Sequence, residues 1–391
     1  KKMSDDALVE KFATFYNHKP DYYLDVGGRY EICGNHTDHN HGFCLVANSN
    51  LRVKACFKKI ENKIKIKSKG YSFFEIDLRH LDRRRYKLVG PALLCKGIAY
   101  KLKKDGYKVG GFEAYIQSDL PTGAGVSSSA AFEALIGNII NYLYNDNSIP
   151  KIEIAKSGQY AENVFYGKPC GLLDQIGTNF DGINFIDFLD KNNPKIESIN
   201  FDLPLSIYLI KSCGSHSGLK DLYSFIPKSM KYMAYRLGHK KYLRSFADNE
   251  NILDRIDSIK VSDITKNIAK HFFIECENVN KCKNAILNND LDSFLKCIEI
   301  SQKSSKENLK NTYIINQYKN SPQFIIDSLN SFLLNNGAVR IHGGGFKGTV
   351  ICFVKKSFEK EFETNLRKRL GNFKSYKVDI SNKAVNFETI K

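Results

Sequence analysis

Apolar and polar positions along the 391-residue chain change period several times, and each change marks an element. Residues 5–16 read as a short amphipathic helix, with acidic residues at its start and Pro20 beyond its end. From Asn50 to Asp77 the period falls to two, and Arg52 to Phe57, Lys63 to Lys67 and Phe73 to Ile76 predict antiparallel strands. A helix follows over 91–103, with Pro91 in its first turn and Gly106 past its end. Alternation at Phe112, Ala114, Tyr115 and Ile116 then leads into a glycine-serine loop. A run with helical spacing comes next (Ala131, Leu135, Ile136, Ile139, Ile140, Leu143). A second helix is predicted over 151–166, carrying Glu162, and a short one near Gly171. The runs 183–186 and 205–210 read as strands, and the polar segment from Asp190 to Ile199 between them is expected to divide a domain 1–190 from a domain 191–391. Helical spacing dominates beyond it, over 227–246, 263–289, 291–303 and 322–335. The chain closes with strand, glycine turn and strand from Gly337 to Val354, a charged helix over 357–370 and a strand at 376–380.

Composition narrows the class. With 42% apolar and 26% charged residues, two packed domains are the natural reading of this length. No apolar run reaches the roughly 18 residues of a membrane span. No signal-like start precedes Asp5, so a cytoplasmic protein without a membrane partner is expected. Ten cysteines occur without a C-x-x-C pair, which argues against a zinc site and a secreted disulfide framework. The net charge of +17 comes from lysines interleaved along the chain, as at Lys63, Lys65, Lys67 and Lys69, on what reads as a solvated strand face. That pattern argues against nucleic acid and suits an anionic small substrate.

Two stretches carry candidate chemistry. Leu120 to Ala131 places Gly123, Ala124, Gly125, Val126, Ser127, Ser128 and Ser129 between a strand and a helix start. Unsatisfied N–H groups and the helix dipole attract anions there, and glycines let a phosphate approach the backbone. A serine-capped turn is the plain alternative. Upstream, Gly27 to Gly42 gathers His36, Asp38, His39 and His41 among glycines. Imidazoles and a carboxylate invite a metal, but a compact loop cannot easily point all of them inward. Alternating donors and acceptors fit a polyhydroxyl ligand better.

Taken together, the pieces resemble the superfamily of galactokinase, homoserine kinase, mevalonate kinase and phosphomevalonate kinase. Pro121 to Ala131 is similar to its phosphate loop and Gly343 to Gly348 to its third motif. Gly28-Arg29, Gly34, His36-Thr37-Asp38, Asn40 and Gly42 resemble the galactokinase signature GR-x-N-L-I-G-E-H-T-D-Y-N-x-G. Gly171 to Gln175 is similar to G-x-M-D-Q, and His216-Ser217 with Tyr223 to H-S-L-x-x-x-x-Y. The resemblance runs from about residue 20 to 354. It implies an α+β fold of two domains with the active site in the interdomain cleft, and a monomer that phosphorylates galactose at C1 with ATP. By the same resemblance, Arg29 sits between sugar and transferred phosphate and Asp174 contacts the C1 hydroxyl. His36, Asp38, Gly171 and Tyr223 hold the remaining hydroxyls. Gly123 to Ser129 wrap the triphosphate, and Mg²⁺ rests on Ser129 and Glu162. Asp174 acts as general base or only orients the hydroxyl; a plain ion pair of Arg29 with Asp174 and a solvated Glu162 are the structural alternatives. The adenine pocket is implied in the region of 60–90, where no motif stands out.

Departures gather on the sugar side. Asn35 stands where the signature has Glu, Tyr30-Glu31 where it commonly has Val-Asn, and His39 where it has Tyr. An amide at 35 is expected to face the sugar and weaken one hydroxyl contact. Lys347 occupies a third-motif position where a small residue is expected. A same-fold kinase for a related sugar, such as a 2-acetamido galactose, or a non-catalytic sugar and ATP sensor are the competing readings. The intact Ser127 to Ala131 run argues against the sensor.

Overall fold

The computed structural model describes residues 5–82, 88–213 and 218–390. The chain opens with helix α1 (Asp6–Tyr16), whose start is capped by the Asp5 carboxylate accepting from the Ala7 N–H. Strands β1 (Tyr22–Cys33), β2 (Phe43–Lys59), β3 (Lys63–Ser68) and β4 (Phe74–Asp77) follow, then α2 (Pro91–Lys104), β5 (Phe112–Ser118), α3 (Ser128–Tyr144), α4 (Lys151–Tyr160), α5 (Leu173–Asn179) and the hairpin of β6 (Ile183–Asp187) and β7 (Lys195–Ile199). After β8 (Leu205–Lys211) come α6 (Lys220–Gly238), α7 (Ile252–Ser258), α8 (Asp263–Leu287), α9 (Leu291–Ser304) and α10 (Pro322–Leu333). The last elements are β9 (Gly337–His342), β10 (Thr349–Lys355), α11 (Glu359–Leu370), β11 (Ser375–Val378) and β12 (Val385–Thr389).

Two sheets result. Eight strands form the first, in the order β12-β1-β2-β5-β3-β4, with β6 and β7 added beside β2. The second has four antiparallel strands ordered β11-β8-β10-β9. The expected antiparallel meander is only partly present, because β3 pairs with β5 in parallel and with β4 antiparallel. The segment expected to divide the domains contains β7, an edge strand hydrogen-bonded to β6. Its alternation of charged and apolar side chains fits a half-exposed edge. The C-terminal strand β12 returns to pair with β1. There the buried Arg52 guanidinium donates to the Asp25 carboxylate and to the carbonyls of Lys383 and Ala384, which fastens the returning chain.

One apolar cluster packs α2 and α3 on the first sheet and continues through α8 and α9 to the inner face of β8, β9 and β10. A second fills the opposite face of the four-stranded sheet under α10 and α11, and a third joins α6 to α8. The continuous first cluster holds the two sheets in fixed relation, so groups on β1 and β9 can meet across the molecule.

Candidate active site

The loop between β5 and α3 has Gly123, Gly125 and Ser127 at φ of 71°, 69° and 59°. Left-handed backbone at alternate positions curls the chain just before the helix, and glycine supplies two of the three positions without steric cost. Ser128 and Ser129, in the first turn of α3, open with Thr122, Gly123, Glu162 and Lys168 onto a cleft of about 480 Å³. Ser68, Lys69, Tyr71 and Gly90 line its other wall, within or beside the region where no adenine motif was legible. A cation comes from the second sheet: Lys211 Nζ, at the end of β8, donates to the Thr122 carbonyl at 2.7 Å. A Cβ on Gly123 would lie 2.9 Å from that nitrogen. Sequence reasoning missed Lys211, since no motif marks it and only the fold brings it to the loop.

The helix carrying Glu162 does not run unbroken to 166 as expected; α4 gives way to one π turn over Ala161–Tyr166. Such bulges recur at functional sites, and here the turn buries Glu162 against Glu133 of α3. Burial, with Glu162 adding like charge, pushes the Glu133 carboxyl up to about 10. Glu162 lines the serine-edged cleft with Glu133 buried beside it, and a carboxylate with serine hydroxyls there suits Mg²⁺, which takes one or two carboxylates and completes its shell with water and phosphate oxygens. Glu133 was not singled out from the sequence; its position on the buried face of α3 gives no chemical signal.

No cluster of three or more His, Cys, Asp or Glu among the described residues is arranged for a metal. Left-handed residues His36 and His41 splay the side chains of the histidine loop. His41 stacks on Tyr242 at 3.9 Å, while His36 Nε2 sits 2.9 Å from the Gly344 carbonyl. His39 is turned into the protein, and burial holds its pKa well below the ordinary histidine range.

Arg29 lies on β1 between two register shifts in the β1–β2 pairing; bulges of this kind re-aim side chains beside active sites. Its N–H donates to the Val126 carbonyl at 3.0 Å, and a Cβ on Gly28 would meet that oxygen at 2.6 Å, so strand and phosphate loop are seated directly on each other. Arg29 Nε and Nη2 both reach Asp174 Oδ1 at 2.8 Å, and Nη1 donates to the Gly125 carbonyl at 2.9 Å. The arginine side chain is 8% exposed and the aspartate 43%, so the carboxylate faces the opening while its partner is packed behind it. Asp38 is half-buried nearby, its pKa raised by loss of solvent against the opposing pull of His36, with Glu31 and Asp174 adding like charge. A Cβ on Gly171 would come within 3.3 Å of Asp38 Oδ2. Tyr223 Oη donates to the Gly345 carbonyl at 3.1 Å, one residue from the carbonyl His36 meets. The structure therefore brings Arg29, Asp38, Gly171 and Asp174 together on one side and His36 and Tyr223 together on the third motif. His216-Ser217 lie outside the described residues.

Parts of the chain match known families, and its fold matches known structures. The description "GHMP kinases N terminal domain" matches residues 93–182, and "Galactokinase galactose-binding signature" matches residues 10–59. The chain carries a GHMP kinase N-terminal domain. It is similar to galactokinase of Clostridium tetani, 27% identical over 387 residues covering 94% of each chain. Similarity to galactokinase of Lactococcus lactis strain IL1403 is also 27%, over 91% of this chain and 89% of that one. Among solved structures, Lactococcus lactis galactokinase complexed with galactose superposes with a TM-score of 0.79 at 23% identity, covering 98% and 99% of the two chains. Methanococcus jannaschii mevalonate kinase superposes with a TM-score of 0.62 at 18% identity, covering 92% and 98%. The fold is thus the two-domain kinase fold of these proteins.

Within the GHMP kinase fold, one expectation fails. Asn35 does not face the cleft; it is 1% exposed. Its Nδ2 donates to Glu31 Oε1 at 3.0 Å and to the Gly343 carbonyl at 2.6 Å, and its Oδ1 accepts from Ser305 at 3.2 Å and Asn311 at 3.0 Å. An amide has two donor hydrogens and two acceptor lone pairs, and all four are used. Glu31 in turn accepts from Arg340 Nη2 at 2.8 Å, within a guanidinium that is fully buried. Burial alone would raise the Glu31 carboxyl, but Arg340 and then Arg29 overrule it and hold it down at about 2. Amide and carboxylate have traded places relative to the signature, and the traded side chains touch.

Proposed function

We propose that this chain is an ATP-dependent sugar kinase that transfers the γ-phosphoryl group to the C1 hydroxyl of galactose, giving galactose 1-phosphate and ADP in the cytoplasm. The observation that carries the reading is the Arg29–Asp174 pair, set against the phosphate loop through Gly125 and exposed only on the aspartate side. Phosphoryl transfer depends on alignment and charge neutralisation more than on covalent chemistry. Asp174 receives or orients the C1 hydroxyl, while Arg29 holds the carboxylate in place and presents positive charge to the transferred group. Gly123 to Ser129 offer backbone N–H groups to the triphosphate, and Lys211 adds a cation beside Gly123. Asp38, His36, Gly171 and Tyr223 hold the other sugar hydroxyls. Mg²⁺ held by Ser129 and Glu162 supplies further neutralisation of phosphate charge.

A second reading, the same reaction on a related sugar, is favoured by the withdrawal of Asn35 from the cleft. Phosphate transfer to a panel of free sugars, with Mg²⁺ and ATP, separates the two. A preference for galactose, with a C1 phosphomonoester seen by phosphorus NMR, supports the first. Preference for a 2-acetamido sugar supports the second, and binding of sugar and ATP without turnover would replace both with a sensor.

A further inference from the structure

One buried polar group beside the phosphate loop has no role in this scheme. His342 ends β9 and is 3% exposed. Its Nε2 accepts the Glu31 backbone N–H at 2.9 Å. Burial, reinforced by the nearby Arg29 cation, lowers its pKa to about 3, so the ring is neutral. A neutral imidazole has one N–H, and with Nε2 fixed as the acceptor that hydrogen lies on Nδ1. Nδ1 has no hydrogen-bond partner. A buried donor left unpaired costs about 1–3 kcal/mol, and such groups concentrate where a second arrangement of the structure satisfies them.

The neighbour of Nδ1 is the loop itself. A Cβ on Gly125 would lie 3.7 Å from His342 Nδ1 and would meet no other group within 4 Å outside its chain neighbours. The carbonyl of this same glycine holds Arg29 Nη1. If Arg29 is to turn an N–H toward the transferred phosphoryl group, that carbonyl loses its donor. The glycine, at φ 69°, has the backbone freedom to tilt its peptide.

We propose that His342 is a positioning residue for the phosphate loop: its Nδ1–H takes over the Gly125 carbonyl when Arg29 releases it to face the transferred phosphate. The exchange trades one hydrogen bond for another and satisfies a donor otherwise left unpaired, so the released arginine leaves no new orphan behind. It rests on the assignment of Arg29 made above.

His342→Gln separates this role from a structural one. The glutamine oxygen still accepts the Glu31 N–H, but no donor remains at the Nδ1 position. The expected result is a fall in kcat of about tenfold or more, with the melting temperature and the galactose KM near those of the unaltered protein. Unchanged kcat overturns the proposal. In the unaltered protein labelled with ¹⁵N-histidine, the His342 ring is expected to carry its proton on Nδ1, and that proton is expected to move downfield when Mg²⁺ and a non-hydrolysable ATP analogue are added with galactose. A proton on Nε2, or an Nδ1–H resonance that stays fixed at saturating nucleotide, also overturns it. Failure of the kinase reading has a different signature, since the unaltered protein would then bind nucleotide without phosphorylating galactose, whatever the histidine does.

Discussion

The two walls of the cleft differ in how their polar groups are occupied. On the phosphate wall, Ser128 and Ser129 face the cavity, and Gly123 lines it with left-handed backbone. On the sugar side, His36 and Tyr223 are already bonded to carbonyls of the third motif, and Asn35 is buried with all its hydrogen bonds made within the protein. A wall that binds with backbone N–H groups depends on conformation and tolerates little change in sequence. A wall that binds with side chains can be rewired by exchanging amide and carboxylate, as at positions 31 and 35. The departures from the signature at 31 and 35 therefore lie among side chains that bond to the protein itself.

The sharpest way to break this comparison is at the point where the walls meet. Asp174→Asn and Arg29→Ala are each expected to lower turnover by about a thousandfold or more, in the range of lost transition-state charge stabilisation. Nucleotide affinity, measured by titration calorimetry, should change far less. Near-normal rates in either variant would remove that residue from the reaction.

A smaller effect tests the rewired wall. Asn35→Glu places a second carboxylate against Glu31 with Arg340 already engaged, and is expected to destabilise the fold by about 3 kcal/mol without tightening galactose binding. Combining it with Glu31→Asn restores the order of the signature. The double variant should regain most of the lost stability in denaturant melts, a coupling that additive effects cannot produce. Additive losses would show that the two positions are independent.

The smallest effect lies on the phosphate wall and depends on pH. The Glu133 carboxyl is raised from 4.5 to about 10 in the folded protein, so its contribution is fully present below pH ~4.5 and is lost as pH climbs toward 10. Glu133→Gln should therefore match the unaltered protein near pH 4 and exceed its stability at pH 8 by on the order of 2 kcal/mol, read from melts without Mg²⁺. Equal pH dependence in both proteins would mean that Glu133 is ionised beside Glu162.

Much of this was legible from periodicity and glycine placement. Helices α1, α2, α3 and α8 to α10 fall within a few residues of their expected ranges. Their apolar faces, caps and breakers are local signals, and the glycine-serine turn into α3 could be read for the same reason, because its residues are consecutive. Strand pairing was not legible in this way. The parallel β3–β5 pair, the β6–β7 hairpin and the return of β12 to β1 depend on contacts between distant segments.

The candidate site divides along the same line. Residues 29, 36, 38, 171 and 174 could be named because each sits in a short motif with a recognisable resemblance. Lys211, Glu133, Arg340 and His342 lie in ordinary-looking strands and a helix. They reach the site only because β8 and β9 of one sheet, and the buried face of α3, are packed against the loop and β1. Sequence alone determined which backbone has the shape to receive an anion, since glycine and helix-start geometry are local properties. Only the tertiary structure decided which side chains remain available to a sugar, because Asn35 is withdrawn by partners at positions 31, 305, 311 and 343, brought together by packing rather than by proximity in the chain.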